Sequence, residues 1–244
     1  LKEEGNYETI DQRLADTLPV NMDVDLVLAK LYGLYAEAGY KLRKKDRKRY
    51  ADLAAEFYQA NGLYVNSAKI LWAYHEYCRD EWLDWEESYH TLERIRNEYK
   101  GNGLEEDTVF QLKLLLDEAI DLMALEEYTT AHQKLKCAIK LANKTNIYYQ
   151  MDNIYRIAAN EALRNNDGEE YLRLLKKSEQ YAVFTENEAS IKVMPLLRAM
   201  YHNMIKYEHA SAMAELEQYS AEGMFLDPLY HLEMGRTLFG LGRI

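Results

Sequence analysis

Residues 126–142 read EEYTTAHQKLKCAIKLA, and the alternation of small and large residues within them decides the fold. Tyr128, Ala131, Leu135 and Ala138 are offset by 3, 4 and 3 positions, which places all four on one face of a helix. Working outward, the same offsets join Tyr7, Ile10, Leu14 and Thr17 in GNYETIDQRLADTLP. They join Trp85, Ser88, Leu92 and Ile95 in DWEESYHTLERI, and Tyr207, Ala210, Ala214 and Glu217 nearer the end. Fainter copies lie at Ala51, Ala55, Tyr58 and at Tyr171, Leu175, Ser178. Successive copies are roughly 40 residues apart, the period of helical-pair solenoids. One helix pair cannot bury its own apolar face, so each unit must pack on the next.

Composition agrees with helices and narrows the function. With 11 Gly and 3 Pro in 244 residues, breakers are scarce, and Ala, Leu, Glu, Lys and Tyr dominate. The net charge of −11 repels a phosphate backbone, so the general surface does not suit nucleic acid. No apolar run approaches the length of a membrane span, and no signal peptide is visible. Cys78 and Cys137 fall inside helical patterns and read as buried thiols of a reducing, cytoplasmic compartment, without a disulfide. Leu1 stands in place of Met and already lies within a repeat. The expectation is therefore a fragment, a single domain over 1–244 with sequence missing upstream.

The pattern predicts helix pairs at about 24–42 with 47–60, 66–79 with 84–100, 105–125 with 128–143, 147–164 with 168–183, and 188–205 with 207–221. Before these, residues 1–4 read as a helix tail and 7–18 as its partner. A last helix starts with Asp227 as N-cap and Pro228 in its first turn. Asn61-Gly62, Gly101-Asn102-Gly103 and Asn165-Asn166-Asp167-Gly168 supply the stops. A small residue is expected 12 positions before each core position of a second helix, and Gly39, Ala119 and Ala159 satisfy this. Gly235 holds the equivalent place in the unpaired last helix, whereas Glu76 and Arg198 break the rule.

These small and large positions resemble the tetratricopeptide repeat in degenerate form with a stretched period. The longer period resembles the superhelical domains of bacterial signal-responsive regulators, both the Rap, Rgg and PlcR group of Gram-positive peptide receptors and the MalT-type activators. The layout is more similar to the C-terminal peptide-sensing domain of Rgg and PlcR. The resemblance implies an all-α, right-handed superhelix of about five helix pairs (an α-α superhelix), with the first helix of each pair lining a concave groove. It implies a short signalling peptide in that groove and a cytoplasmic transcription regulator, with DNA met only through a helix-turn-helix domain outside this chain. The alternative is a non-switching scaffold that binds a partner protein's extended tail. A Rap-like phosphatase accessory role needs a separate N-terminal bundle.

On the groove face, Asn153, Arg156, Asn160 and Arg164 are spaced 3, 4 and 4 apart and form one polar stripe. Asn offers a donor and an acceptor to a peptide backbone, and Arg can hold a carboxylate through two parallel bonds. Against this, any exposed helix face is polar. The same face predicts Tyr74, Tyr77, Lys113 and Ile120 as contacts, then Asn203 and Arg236. Tyr supplies stiff contact area with a polar tip, though each of the 21 tyrosines could equally fill gaps between degenerate repeats. The basic run KLRKKDRKRY at 41–50 suits an acidic partner or a plain solvated turn. His75 and Cys78 share a helix face but lack the other ligands of a zinc site. No phosphate loop, dinucleotide fingerprint or nucleophile elbow is present, so neither an enzyme nor a cofactor is expected. A homodimer is expected, because Leu229, Leu232, Leu238, Phe239 and Leu241 of the last helix have no following helix to cover them.

Overall fold

A computed structural model describes residues 5–15, 18, 25–98, 100–103, 106–221 and 228–243, with the backbone alone at 45, 220 and 221. Residues 1–4, Thr17 and Asp227 therefore lie outside the described residues. Twelve α-helices and no strands occur among those described: α1 Tyr7–Ala15, α2 Leu26–Lys41, α3 Lys48–Ala60, α4 Tyr64–Tyr77, α5 Trp85–Glu98, α6 Thr108–Ala124, α7 Tyr128–Thr145, α8 Met151–Arg164, α9 Gly168–Phe184, α10 Glu188–Tyr201, α11 His209–Ala221 and α12 Pro228–Gly240. The chain forms two compact units, residues 1–131 and 132–244, and α7 crosses the boundary.

The helix starts follow side-chain chemistry. Asp25, Asp107, Asp167 and Asn187 each accept the backbone N–H three residues on, filling one of the donors a helix start leaves open. The stops share one geometry: a residue at positive φ, followed by an N–H bonded back to the carbonyl five residues earlier. Leu63 bonds Tyr58, Glu127 bonds Leu122, Asp167 bonds Ala162 and Asn187 bonds Ala182 in this way.

Within unit one, α1 packs on α2, α2 on α3, α3 on α4, α4 on α5 and α5 on α6, and α2 also touches α4. Within unit two, α8 through α12 pack in sequence, and α8 also touches α10, which touches α12. These three contacts, α2 with α4, α8 with α10 and α10 with α12, set alternate helices side by side within each unit. The core positions named by the repeat are buried at Ala51, Ala55 and Tyr58, at Ser88, Leu92 and Ile95, at Ala131, Leu135 and Ala138, and at Tyr171, Leu175 and Ser178. The last copy is shifted: α11 buries Ala212, Leu216 and Tyr219, while Ala210, Ala214 and Glu217 are exposed.

One feature moves the register at both exceptions to the small-residue rule. After α4 the chain runs through a π turn, Cys78–Trp82, and after α10 through another, His202–Lys206. Each ends in a left-handed residue, Leu83 (φ 54°) and Tyr207 (φ 55°), and each closes with a longer bond, Asp84 N–H to Cys78 O and Glu208 N–H to His202 O, both 2.9 Å. The wider turn lengthens the count between paired helices by one residue. The close crossing under Ser88 is therefore His75, and that under Ala212 is Ala199, all four fully buried. At Gly39, where no such turn intervenes, an added Cβ would lie 2.0 Å from Arg47 Cγ, so only glycine fits.

The basic run at 41–50 is largely consumed internally. Lys44 and Arg47 both hold the buried carboxylate of Asp11 on α1, and Arg47 also lies 4.4 Å over the Tyr35 ring. Arg43 pairs with Glu81 and Lys48 with Asp52. The run fastens α1 to the α2–α3 pair. Cys78 is buried as expected, and burial pushes its thiol up to about 12, but Cys137 is exposed.

Candidate functional site

The first helices of unit one leave a groove across α2, α4 and α6. Between α2 and α4 it opens as a cleft of about 400 Å³ floored by Gly33, Leu34, Ala36, Ile70 and Ala73. Between α4 and α6 it continues as a cleft of about 390 Å³, and the two share Lys69 and Ala73. The second cleft is mainly apolar, with Trp72 and Phe110 in edge contact at 5.5 Å and half-open Val65 and Val109 at its rim. Lys113 lies 4.5 Å over the Trp72 ring and bonds Glu76 at 3.2 Å, so its charge is already answered. Lys30 and Lys69 line the first cleft with no carboxylate within 4 Å among the described residues. The groove thus offers an aromatic-walled pocket beside two lysines that pair with no carboxylate among the described residues, with Glu37 on the same cleft.

Behind the Trp72 wall lies a buried polar network drawn from three helices and the π turn. Trp72 Nε1–H donates to Asp117 Oδ2 at 3.1 Å, and Arg79 donates to Asp117 Oδ1 at 3.0 Å. Arg79 Nη1 is also 3.4 Å from His75 Nε2. His75 Nδ1 is 2.8 Å from Ser88 Oγ, which donates to Asp121 Oδ2 at 2.8 Å. Burial, aided by Arg79, holds the imidazole down at about 3, so His75 is neutral at ordinary pH. Burial pushes the Asp121 carboxyl up to about 7, against the opposing pull of Ser88 and Arg79. The set contains the Ser, His and Asp of a hydrolase triad, yet His75 and Ser88 are fully buried and the hydroxyl is committed on both sides. In this packing it is an internal network with no opening for a substrate.

In unit two the polar stripe of α8 is half-buried. Arg156 donates to Asn153 Oδ1 at 3.0 Å, and no carboxylate lies within 4 Å of it among the described residues. Burial lowers the Arg156 affinity for its proton, with Asp152 acting in the opposite sense. Asp152 itself is held by Asn187 and Ser190 of α10. The buried Oδ1 of Asn160 has no hydrogen-bond partner. Three of the four stripe residues are therefore held close to one another with unspent bonding capacity; Arg164 is exposed at the end of the row.

The remaining expected contacts fall elsewhere. Tyr74 and Tyr77 are buried in the core of unit one, where Tyr40 lies 5.4 Å from each ring and Trp82 stands edge-on to Tyr77. Their sequence neighbours Ala73 and Glu76 face the groove instead, a one-residue rotation that follows from the π turn. Ile120 is half-buried, away from the cleft residues of α6. Asn203 is buried and donates to Glu233 and Thr237, locking α12 to the π turn, and Arg236 pairs with Glu233. Of these residues Lys113 alone lies in the groove; Trp72, Phe110, Lys30 and Lys69 did not stand out in the sequence, because an aromatic or a lysine on a helix carries no motif. Among the described residues no group of three or more His, Cys, Asp or Glu is placed to hold a metal ion, and no helix is long and apolar enough to cross a membrane. Compared with protein-family models, with curated proteins and with solved structures, the chain finds no match.

Proposed function

We propose that this chain is a helical-repeat interaction domain whose α2–α4–α6 groove takes an extended polypeptide segment, with an apolar side chain against Trp72 and Phe110 and a carboxylate between Lys30 and Lys69. The observation that carries this reading is the pairing of an aromatic-walled cleft with two lysines that no carboxylate among the described residues answers. Apolar contact supplies affinity, and an unanswered cation supplies a preference for acidic partners. The Asn153–Arg156–Asn160 stripe of unit two is a second place for such a segment, because Asn160 Oδ1 and the Arg156 guanidinium retain bonds to make. In the context that the tetratricopeptide resemblance implies, the segment is a short signalling peptide and the domain is the sensor of a homodimeric, cytoplasmic transcription regulator. The same groove would serve a scaffold that holds a protein tail.

Selection of random displayed peptides on the whole chain tests this. The reading expects enrichment of Phe, Trp, Leu or Met within a few positions of Asp, Glu or a free C-terminus. Enrichment of basic peptides, or of none, counts against it. Sensor and scaffold part on a second measurement: addition of a selected peptide changes the sedimentation coefficient of a sensor and leaves that of a scaffold unchanged.

A further inference from the structure

The network behind Trp72 has a direction. Ser88 Oγ carries one proton and sits 2.8 Å from both His75 Nδ1 and Asp121 Oδ2. With Asp121 ionised, the hydroxyl donates to it, so His75 Nδ1–H must donate to Ser88. The lone pair of Nε2 then faces the Arg79 N–H at 3.4 Å. Donation runs from Arg79 to His75 to Ser88 to Asp121, and it leaves one buried carboxylate oxygen, Asp121 Oδ1, with no donor at all. A bare buried carboxylate oxygen favours the protonated acid.

We propose that the α4–α6 part of the groove is proton-sensitive: one proton taken up at Asp121 reverses this chain of hydrogen bonds as far as Asp117, behind the groove wall, and strengthens binding of an apolar anion. The inference rests on the groove reading above. In the protonated state Asp121 Oδ2–H donates to Ser88 Oγ, Ser88 donates to His75 Nδ1, and the single imidazole proton resides on Nε2. One proton enters from solvent, and the imidazole stays neutral throughout. Nε2–H and the Arg79 N–H now face each other as two donors. Asp117, whose oxygens lie 3.9 Å from Nε2 and 3.0 Å from Arg79 Nη1, is the acceptor open to both. Asp117 is also the acceptor for the Trp72 indole, which forms the groove wall.

The charges facing the site are Arg79 and Asp80 from the π turn, and Asp117 and Lys113 from α6, with His75 from α4 and Ser88 from α5 as its neutral partners. Protonation removes one negative charge from this set, so an anion beside Lys113 and Lys69 meets less repulsion. The burial-raised carboxyl value of about 7 puts the change in the neutral range. By reciprocity, a ligand that binds tenfold tighter to the protonated form raises the Asp121 value by about one unit.

The test uses the whole chain and 1-anilinonaphthalene-8-sulfonate, an apolar anion, as probe. Its dissociation constant is measured at pH 6 and pH 8 in wild type, D121N and K69E, while nitrogen NMR follows the His75 tautomer in the wild type. The expected results are binding roughly three- to tenfold tighter at pH 6, no pH dependence in D121N, and a His75 proton that moves from Nδ1 to Nε2 between pH 8 and pH 6. If K69E weakens the probe but affinity is flat with pH and the tautomer does not change, the switch is overturned and the groove stands. If K69E has no effect on the probe, the groove reading falls and the proposal with it, even where the tautomer titrates. The NMR arm needs no variant, so a D121N chain that fails to fold leaves the proposal open to refutation.

Discussion

Arg156 sits half-buried on α8 with an amide oxygen, Asn153 Oδ1, as its hydrogen-bond acceptor. A guanidinium taken from water without a carboxylate costs stability, and the proposed reading has Arg156 hold an acidic group of a bound segment. Arg156→Leu keeps the bulk and removes the charge. Urea unfolding should show unchanged stability or a gain of up to about 1 kcal/mol, with weaker binding of an acidic segment; a loss above about 2 kcal/mol would mark the residue as structural. His75 and Asp121 make a second residue-level prediction, in pH. The folded value of His75, about 3, is below its unfolded one, so its contribution is present above about pH 6.5 and is lost as pH falls. The folded value of Asp121, about 7, is above its unfolded one, so its contribution is present at low pH and is lost as pH rises through 7. In the wild type the two slopes oppose each other over about pH 4–6.5. D121N removes one of them. Its stability in urea should therefore fall on acidification from pH 6.5 to 4.5 more steeply than that of the wild type, and equal slopes would contradict the pairing.

At the scale of the element, punctuation matters more than propensity. Gly62, Gly101 and Asn166 hold left-handed φ and were readable as stops, because Gly and Asn tolerate that region. Arg43, Leu83, Glu126, Glu186 and Tyr207 hold it too, with nothing in their side chains to announce it. Leu83 and Tyr207 end the π turns and are 65% and 73% exposed, so they lose little packing on replacement. Leu83→Gly and Tyr207→Gly should each raise stability by about 0.5–1 kcal/mol in thermal or urea unfolding; destabilisation would mean the turns rely on those side chains. The same two turns limited what the sequence could show of the site. Helix periodicity placed the pairs and their cores to within a few residues, because each helix reports its own buried face. A π turn adds one residue without a glycine or proline to mark it, and one residue is about 100° on a helix. A face carried over from the other pairs is therefore one residue out on α4, where Ala73 and Glu76 line the cleft and Tyr74 and Tyr77 are buried. The buried network was illegible for another reason. It joins Trp72 to Asp117 and His75 to Asp121 across three helices, and no local pattern sets those distances.

For the whole molecule, both units contain the same device: a first helix that ends in a π turn and a second helix that crosses it at a small or hydrogen-bonded residue. Unit one carries the groove, and unit two carries the half-buried stripe. On α12 in unit two, Leu232 and Phe239 are 50% and 77% exposed. If this helix mates with a second copy, as the proposed homodimer requires, Phe239→Glu should shift sedimentation equilibrium to monomer, and a wild type already monomeric at tens of micromolar would remove the dimer from the account. The central claim is that the unit-one groove holds a segment through an unanswered lysine beside an aromatic pocket. It is tested most directly by calorimetric titration of a selected acidic-apolar peptide into wild type and Lys69→Glu chains. A charge-assisted contact is worth about 1.5–3 kcal/mol. The account predicts binding weaker by at least about tenfold with an unchanged thermal unfolding curve; equal affinity of the two chains would contradict it.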